Sequence, residues 1–314
     1  MKIFKYSLFL LCSLSSVGCF ESSTTGKSVK RLIDNPTDKE IKVAIDGNEL
    51  AIPAKSGVEY EFEYGKHNIA YNNESFEIVV KPVKFNGHGF INPTQSNYML
   101  HTFIYATENT SDETYDKLYE ESLNKVEVIL NGEQVEVELP VKVVNDFFIE
   151  DKDNNWDYSI GQKIPKKVTE NINNNQSYQL DIIKIYRESA YLKFLKKDWL
   201  EKDDEISFLN KPKKLSEINQ YVFPKLDLES IRCDEGKKYL LDTLDKWQQL
   251  FTLTGSDFAS KYEGLGGYDG MHALLDSKKL CPEDKDPEQT YFKAIRPLDD
   301  ALTNGRDMYF FIIK

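Results

Sequence analysis

The chain has 314 residues, with 52 Asp and Glu against 40 Lys and Arg, and a formal net charge of −12. That balance disfavours a non-specific nucleic-acid interface, which needs basic surface. Aromatic residues make up 12% of the chain, which excludes disorder by composition, and the length supports a substantial core and two domains.

The first eighteen residues read as a secretory signal peptide. Lys2 and Lys5 make a positive start, Tyr6 to Leu14 is apolar, and Ser15-Ser16-Val17-Gly18 is small and flexible. The apolar run is roughly half of the ~20 residues that a membrane-spanning helix needs. No later stretch is long and apolar enough to span. The segment Ser16-Val17-Gly18-Cys19 resembles a bacterial lipoprotein signal, in which an aliphatic and two small residues precede the modified cysteine. Ser16 stands where that signal usually has leucine. The resemblance implies cleavage after Gly18, lipid on the Cys19 sulfur, and a body facing the periplasm. Ser16 and Gly18 also suit ordinary small-x-small cleavage, which would release the exported chain unanchored. In many Gram-negative bacteria an Asp after the lipidated cysteine signals retention in the inner membrane; Phe20 here points to the outer membrane. Loss of Lys2 and Lys5 with the signal would take the net charge to about −14. Such a surface keeps a protein soluble and would steer a basic protein partner.

Cysteine parity agrees with export. Of Cys12, Cys19, Cys233 and Cys281, the first leaves with the signal. If Cys19 carries lipid, Cys233 and Cys281 remain to pair in an oxidising compartment. Two unrelated buried thiols are the alternative. His67, His88, His101 and His272 are scattered, and no C-x-x-C occurs, so no metal set is assigned.

Residues 19–28 are polar and read as a tether to the membrane. From 29 to 106 the pattern has period two. Ile41, Val43 and Ile45 lead through Asp46-Gly47 to Leu50 and Ile52. Val58, Tyr60, Phe62 and Tyr64 alternate with glutamates, Gly65-Lys66 turns the chain, and His67, Ile69 and Tyr71 follow. Asn72-Asn73 turns it again before Phe76, Ile78 and Val80. Short strands at this spacing predict an antiparallel sandwich-like module. The run through Asn35-Pro36-Thr37, Ile45-Asp46-Gly47, Ile52-Pro53-Ala54 and Tyr64-Gly65-Lys66-His67 resembles the small β-modules of the PEGA type. That resemblance covers about fifty residues and implies a non-catalytic accessory on an envelope protein. The segment holding Gly87, Gly89, Asn92-Pro93-Thr94 and Asn97 reads as a connection, with a recognition loop as the other reading.

Residues 107–314 predict a mixed, largely helical domain, so the fold class is α+β. Ser111-Asp112-Glu113-Thr114 starts a short helix to Asn124. Asn131-Gly132 joins a hairpin of Val126, Val128 and Leu130 with Val135, Val137 and Leu139. Asp151, Asp153, Asn155 and Asp157 alternate as in a calcium loop, but Trp156 and Gln162 occupy its diagnostic glycine and acidic positions. This is read as an acidic solvated turn. A strand is expected over 178–186 and a helix over 188–200. Leu240, Leu244, Trp247 and Phe251 form one apolar helix stripe, with Gly255 just past its end. Helices over 269–280 and 288–302 follow, the last kinked by Pro297, and 308–313 reads as a closing buried strand. Four glycines in 264–270 read as a flexible connector, since no Gly-Lys-Ser/Thr ending makes it a phosphate loop.

No catalytic motif stands out: there is no G-x-S-x-G, no H-x-x-x-H, and pairing would remove the cysteine nucleophiles. No catalytic, metal or cofactor residues are assigned. The expected function is a non-catalytic, membrane-anchored envelope lipoprotein that binds a protein partner, with an immunity-type role against a periplasm-directed toxin as its sharper form. A structural subunit of an envelope assembly and a carboxylate-dependent periplasmic hydrolase are the alternatives.

Overall fold

A computed structural model describes residues 26–83, 89–104, 111–164, 181–198, 200–201, 203–218 and 221–313. Residues 1–25, which hold the expected signal peptide, Cys19 and most of the expected tether, lie outside the described residues.

Among the described residues the strands form four sheets. The first has β1 (Ser28–Asn35) paired antiparallel with β4 (Ser56–Glu63) over eight residues. On its other edge β1 takes β7 (Gly89–Ile91) in parallel, and β7 takes β12 (Phe148–Glu150). The second, in the order β15-β6-β5-β2-β3, is built from β2 (Ile41–Ile45), β3 (Asn48–Ile52), β5 (Gly65–Tyr71), β6 (Glu74–Val80) and β15 (Phe310–Ile313). The third sets β8 (Tyr98–Ile104) between β11 (Val141–Val144) and β13 (Asp181–Arg187). The fourth sets β9 (Asn124–Leu130) between β10 (Glu133–Leu139) and β14 (Ile206–Phe208). The first two sheets each take strands from both sides of residue 106, so strand pairing does not stop at that boundary.

Local turn chemistry explains the hairpins. Asp46-Gly47, Asn72-Asn73 and Asn131-Gly132 all have positive φ at both central residues, as tight primed turns require. Each joins the strands expected from the sequence. Gly65 does something else. It has φ +125°, and a Cβ there would meet the Leu253 carbonyl oxygen at 2.7 Å. The chain crosses at this point from the first sheet, where β4 lies, to the second, where β5 lies. Gly65-Lys66 is therefore a sheet-to-sheet crossing rather than a hairpin. The backbone docks there on both sides: Tyr64 N–H donates to the Lys27 carbonyl and Gly255 N–H to the Tyr64 carbonyl.

The helices are α1 (Asp112–Ser122), α2 (Asp151–Asn154), α3 (Glu188–Asp198), α4 (Asp234–Leu250), α5 (Gly255–Glu263), α6 (Tyr268–Asp276) and α7 (Thr290–Gly305). Ser111 caps α1 by accepting from Thr114 N–H, but α1 buries no residue. The stripe on α4 is core: Leu240 and Trp247 are buried with Leu250. Pro297 sits inside α7, which nevertheless runs unbroken through sixteen residues. Burial of Tyr291, Ala294, Ile295, Leu298 and Leu302 outweighs the one backbone bond that proline forgoes.

The 264–270 segment is not a flexible connector. Gly267 caps α6, and Gly270 lies inside it, packed on the Leu265 backbone where a Cβ would have no room. Gly266 lies under the Trp247 and Tyr262 rings, which a Cβ would meet at 2.7 and 2.6 Å. These glycines allow close approach.

The largest core joins both halves of the chain. Ile33, Val43, Phe62, Ile69, Ile78 and Val80 from the first two sheets pack with Trp247, Phe258, Tyr291, Leu298 and Phe311. The closing strand β15 runs beside β6, with Phe310 opposite Val80, and touches Val222 on its other side. Smaller cores lie on the two faces of β8, with Tyr98 and Leu100 in one and Met99 in the other. Cys233, just before α4, is bonded to Cys281, which follows a 3-10 helix at Ser277–Leu280; the Cα atoms are 5.9 Å apart. Among the described residues no helix is long and apolar enough to cross a membrane.

Candidate binding cleft

Strand β13 runs directly into α3, and this junction forms the most distinctive surface feature. Lys184 lies opposite His101 of β8, and Tyr186 opposite Met99. The period of two places Lys184 and Tyr186 on one face of the sheet. The segment after α2 closes the side: Asp157 accepts from Ile183 N–H at 2.8 Å, and Ile185 N–H donates to the Tyr158 carbonyl at 3.0 Å. These bonds hold Ile160 to Ile164 beside the strand.

The result is a cleft of about 620 Å³, walled by Phe103, Tyr186 and Phe194 with Ile160 and Ile164. Lys163, Lys184, Arg187 and Lys197 also line it, and no Asp or Glu is among the described residues that do. In an acidic chain this is a local reversal of sign. Lys184 is only 7% exposed, and its ammonium lies 5.0 Å over the Tyr186 ring. Burial lowers its proton affinity below that of an ordinary lysine. A second cleft, of about 530 Å³, is lined by Lys125, Lys211 and Lys213 among others. There the lysines meet Glu136, Glu127 and Asp146 at 3.3, 3.7 and 3.6 Å, so its charge is largely balanced.

Arg187 is committed elsewhere. Its Nε donates to Asp34 Oδ2, its Nη2 to Asp34 Oδ1, and its Nη1 to the Lys55 carbonyl. This bidentate pair raises the Arg187 proton affinity further. Arg187 thus fixes the β13–α3 corner. Nearby, His101 Nδ1 lies 3.0 Å from the Tyr191 hydroxyl, with its ring edge-on to Phe103 and Phe194. Burial lowers the His101 pKa to about 4, so the imidazole is neutral at neutral pH.

No protein-family model matches the chain, nor does any curated protein or solved structure.

The residues singled out by sequence fall apart in space. Cys19 lies outside the described residues. Cys233 and Cys281 are bonded to each other in the helical part, and neither lines the cleft. Asp151 Oδ1 accepts from Trp156 N–H at 3.3 Å, Asp157 is taken up by β13, and the described residues contain no group of His, Cys, Asp and Glu placed to hold a metal ion. The Asn-Pro loop after β7 is an internal connection. Asn92, Gln95 and Asn97 are buried; Gln95 exchanges two hydrogen bonds with the Lys213 backbone, at 2.6 and 2.8 Å.

Two charged groups were not visible in the sequence. Lys81 is fully buried, donating to the Arg306 carbonyl at 3.1 Å between the Tyr262 and Phe311 rings. Arg31 lies 3.2 Å over the Tyr309 ring. A lysine directly after the apolar pair Val79-Val80 was the only local hint of the first.

Proposed function

We propose that this chain is an exported, membrane-anchored envelope lipoprotein that acts by binding, not by catalysis. The bond between Cys233 and Cys281 carries the reading, because such bonds persist in oxidising compartments outside the cytosol. The signal-like N-terminus and Cys19 supply the anchor. We further propose a basic protein as the partner, steered by the net charge of −12. Support comes from the helical part, where Leu241, Tyr268, Leu275, Leu280 and Phe292 remain exposed. Exposed apolar side chains with a polar surround suit a protein interface.

The test begins with Cys19→Ala. The variant is expected to lose membrane retention and radiolabelled palmitate, while the wild-type protein keeps both. Palmitate in the variant at the wild-type level would refute the anchor. The intact protein, used as bait on envelope extracts, should retain a basic protein that high salt releases, because exposed charge attraction is screened by salt. Release that ignores salt would refute the electrostatic basis of the partnership.

A further inference from the structure

The cleft of about 530 Å³ owes its shape to the register of β14. Phe208 stands opposite Val128, so Leu209 would follow opposite Glu127, and Lys211 opposite Lys125. The pairing instead stops at Phe208. Three side-chain amides draw the chain aside. Asn97 Nδ2 donates to the Leu209 carbonyl at 3.2 Å, Asn145 Nδ2 donates to the Lys211 carbonyl at 3.5 Å, and Gln95 exchanges two hydrogen bonds with the Lys213 backbone.

Beyond Phe208, β9 is therefore left with an open edge. Asn131 N–H donates to the Glu205 carbonyl, so the backbone groups of residue 131 point toward the β14 side. Direction alternates along an antiparallel strand, so Ile129, Glu127 and Lys125 point the same way, while Val126 and Val128 point to β10. Ser207 lies opposite Ile129. Among the described residues no strand pairs with Glu127 or Lys125 on that side.

We propose that an extended segment of a partner protein docks here as an added strand, in the place beside Glu127 and Lys125 that β14 gives up. A row of open N–H and C=O groups is a template for an incoming strand. The walls define the segment. Val126, Val141, Val143 and Phe208 are the apolar lining. Lys125, Lys211 and Lys213 are paired with Glu136, Glu127 and Asp146, so the charge of the cleft is met within the chain. An uncharged segment with apolar residues at alternate positions fits, since a strand then turns one face to the valines and the other to solvent. Asn97 also lines the cleft, and its Oδ1 is buried without a donor. Its Nδ2 already serves two acceptors, Leu209 and Glu188, so turning the amide would only exchange one mismatch for another. An N–H of the added segment is the kind of group that this oxygen lacks. The proposal goes beyond the anchor and the basic partner above and rests on neither.

The test is amide hydrogen exchange, followed by NMR on the purified full chain. In the protein alone, Lys125 and Glu127 should exchange about tenfold faster than Val126 and Val128, which β10 holds. Equal protection of all four would mean that the chain itself covers the edge, and would overturn the proposal. Three capped heptapeptides serve as probes, alternating threonine with valine, leucine or phenylalanine. At least one should bind one-to-one and slow exchange at Lys125 and Glu127 by about tenfold. Two N-methylated forms of that peptide, methylated on one edge or on the other, should differ in affinity by about tenfold, because only one edge donates to β9. Lys125→Pro removes a donor from the open edge and leaves the β10 ladder whole, so it should weaken binding about fivefold. The N-methyl comparison uses the wild-type protein and decides the matter even where that variant fails to fold. Lack of binding by all three peptides, equal affinity of the two methylated forms, or binding that leaves exchange at Lys125 and Glu127 unchanged would each overturn the proposal. So would a dimer in sedimentation of the protein alone that Lys125→Pro dissolves, which would give the edge to a second copy. Palmitate labelling and salt-sensitive capture are untouched by any of these outcomes.

Discussion

The carboxylate of Asp34 and the guanidinium of Arg187 meet across 153 residues of chain, at 2.8 Å for Nε to Oδ2 and 2.5 Å for Nη2 to Oδ1. The Tyr98 hydroxyl donates to the same Oδ2. Asp34 is on β1, Arg187 on β13 and Tyr98 on β8, so this one buried carboxylate ties the first sheet to the third. Asp34→Ala would strand a half-buried cation and a buried hydroxyl together. A loss of about 3–5 kcal/mol is expected, read from urea denaturation. Arg187→Met on that background should recover part of it, because the uncompensated charge is then gone.

The bond between Cys233 and Cys281 spans a sequence separation of 48. In the chain-entropy account, closing such a loop is worth roughly 4 kcal/mol. The double variant Cys233→Ser with Cys281→Ser should therefore unfold at a distinctly lower urea concentration than the oxidised protein, and reductant should lower the wild-type midpoint likewise. Alkylation without reductant, followed by mass measurement, should find neither sulfur modified.

Acid should weaken the fold through His101. Its folded pKa is lowered by burial to about 4, against an ordinary value of 6.5. Between those values the unfolded chain binds a proton that the folded chain refuses. The contribution of His101 to stability is therefore level above pH 6.5, falls as pH drops toward 4, and then levels again. The loss amounts to on the order of 3 kcal/mol. His101→Phe should flatten that slope in urea titrations at stepped pH, since a phenyl ring suits the surrounding Phe103, Tyr191 and Phe194.

Alkali should act in the other direction through Lys81. Burial pulls its pKa from 10.5 down to about 7, although Glu150 and Asp307 oppose the shift. Above pH 7 the unfolded chain holds a proton that the folded chain has lost, so stability rises from pH 7 toward pH 9.5. Beyond that the buried tyrosines oppose it, because burial raises the pKa of Tyr262 and Tyr291. Over the lower window the gain is roughly 2–3 kcal/mol. Lys81→Met should abolish the rise and leave the protein more stable at pH 7, which urea midpoints at pH 7 and 9 would show.

Much of the local structure was legible. The Asp46-Gly47, Asn72-Asn73 and Asn131-Gly132 turns were readable because a positive φ at two adjacent positions is a property of those residues themselves. The α4 stripe and the β15 run were readable because periodicity and apolarity are visible within one window. The cleft was not legible at all. Lys184 looks like one more lysine in a polar stretch until β8, α3 and the segment after α2 close round it.

The residues themselves dictated turns, strand periods, the helical stripe and the pairing of two cysteines, since each depends on energies felt within a few positions or on a simple count. The folded chain alone decided that Gly65 would cross between sheets, that β15 would lie beside β6, and that Lys163, Lys184, Arg187 and Lys197 would line one cleft. Those outcomes depend on apolar surface buried between segments up to hundreds of residues apart, and no short window of sequence contains that sum.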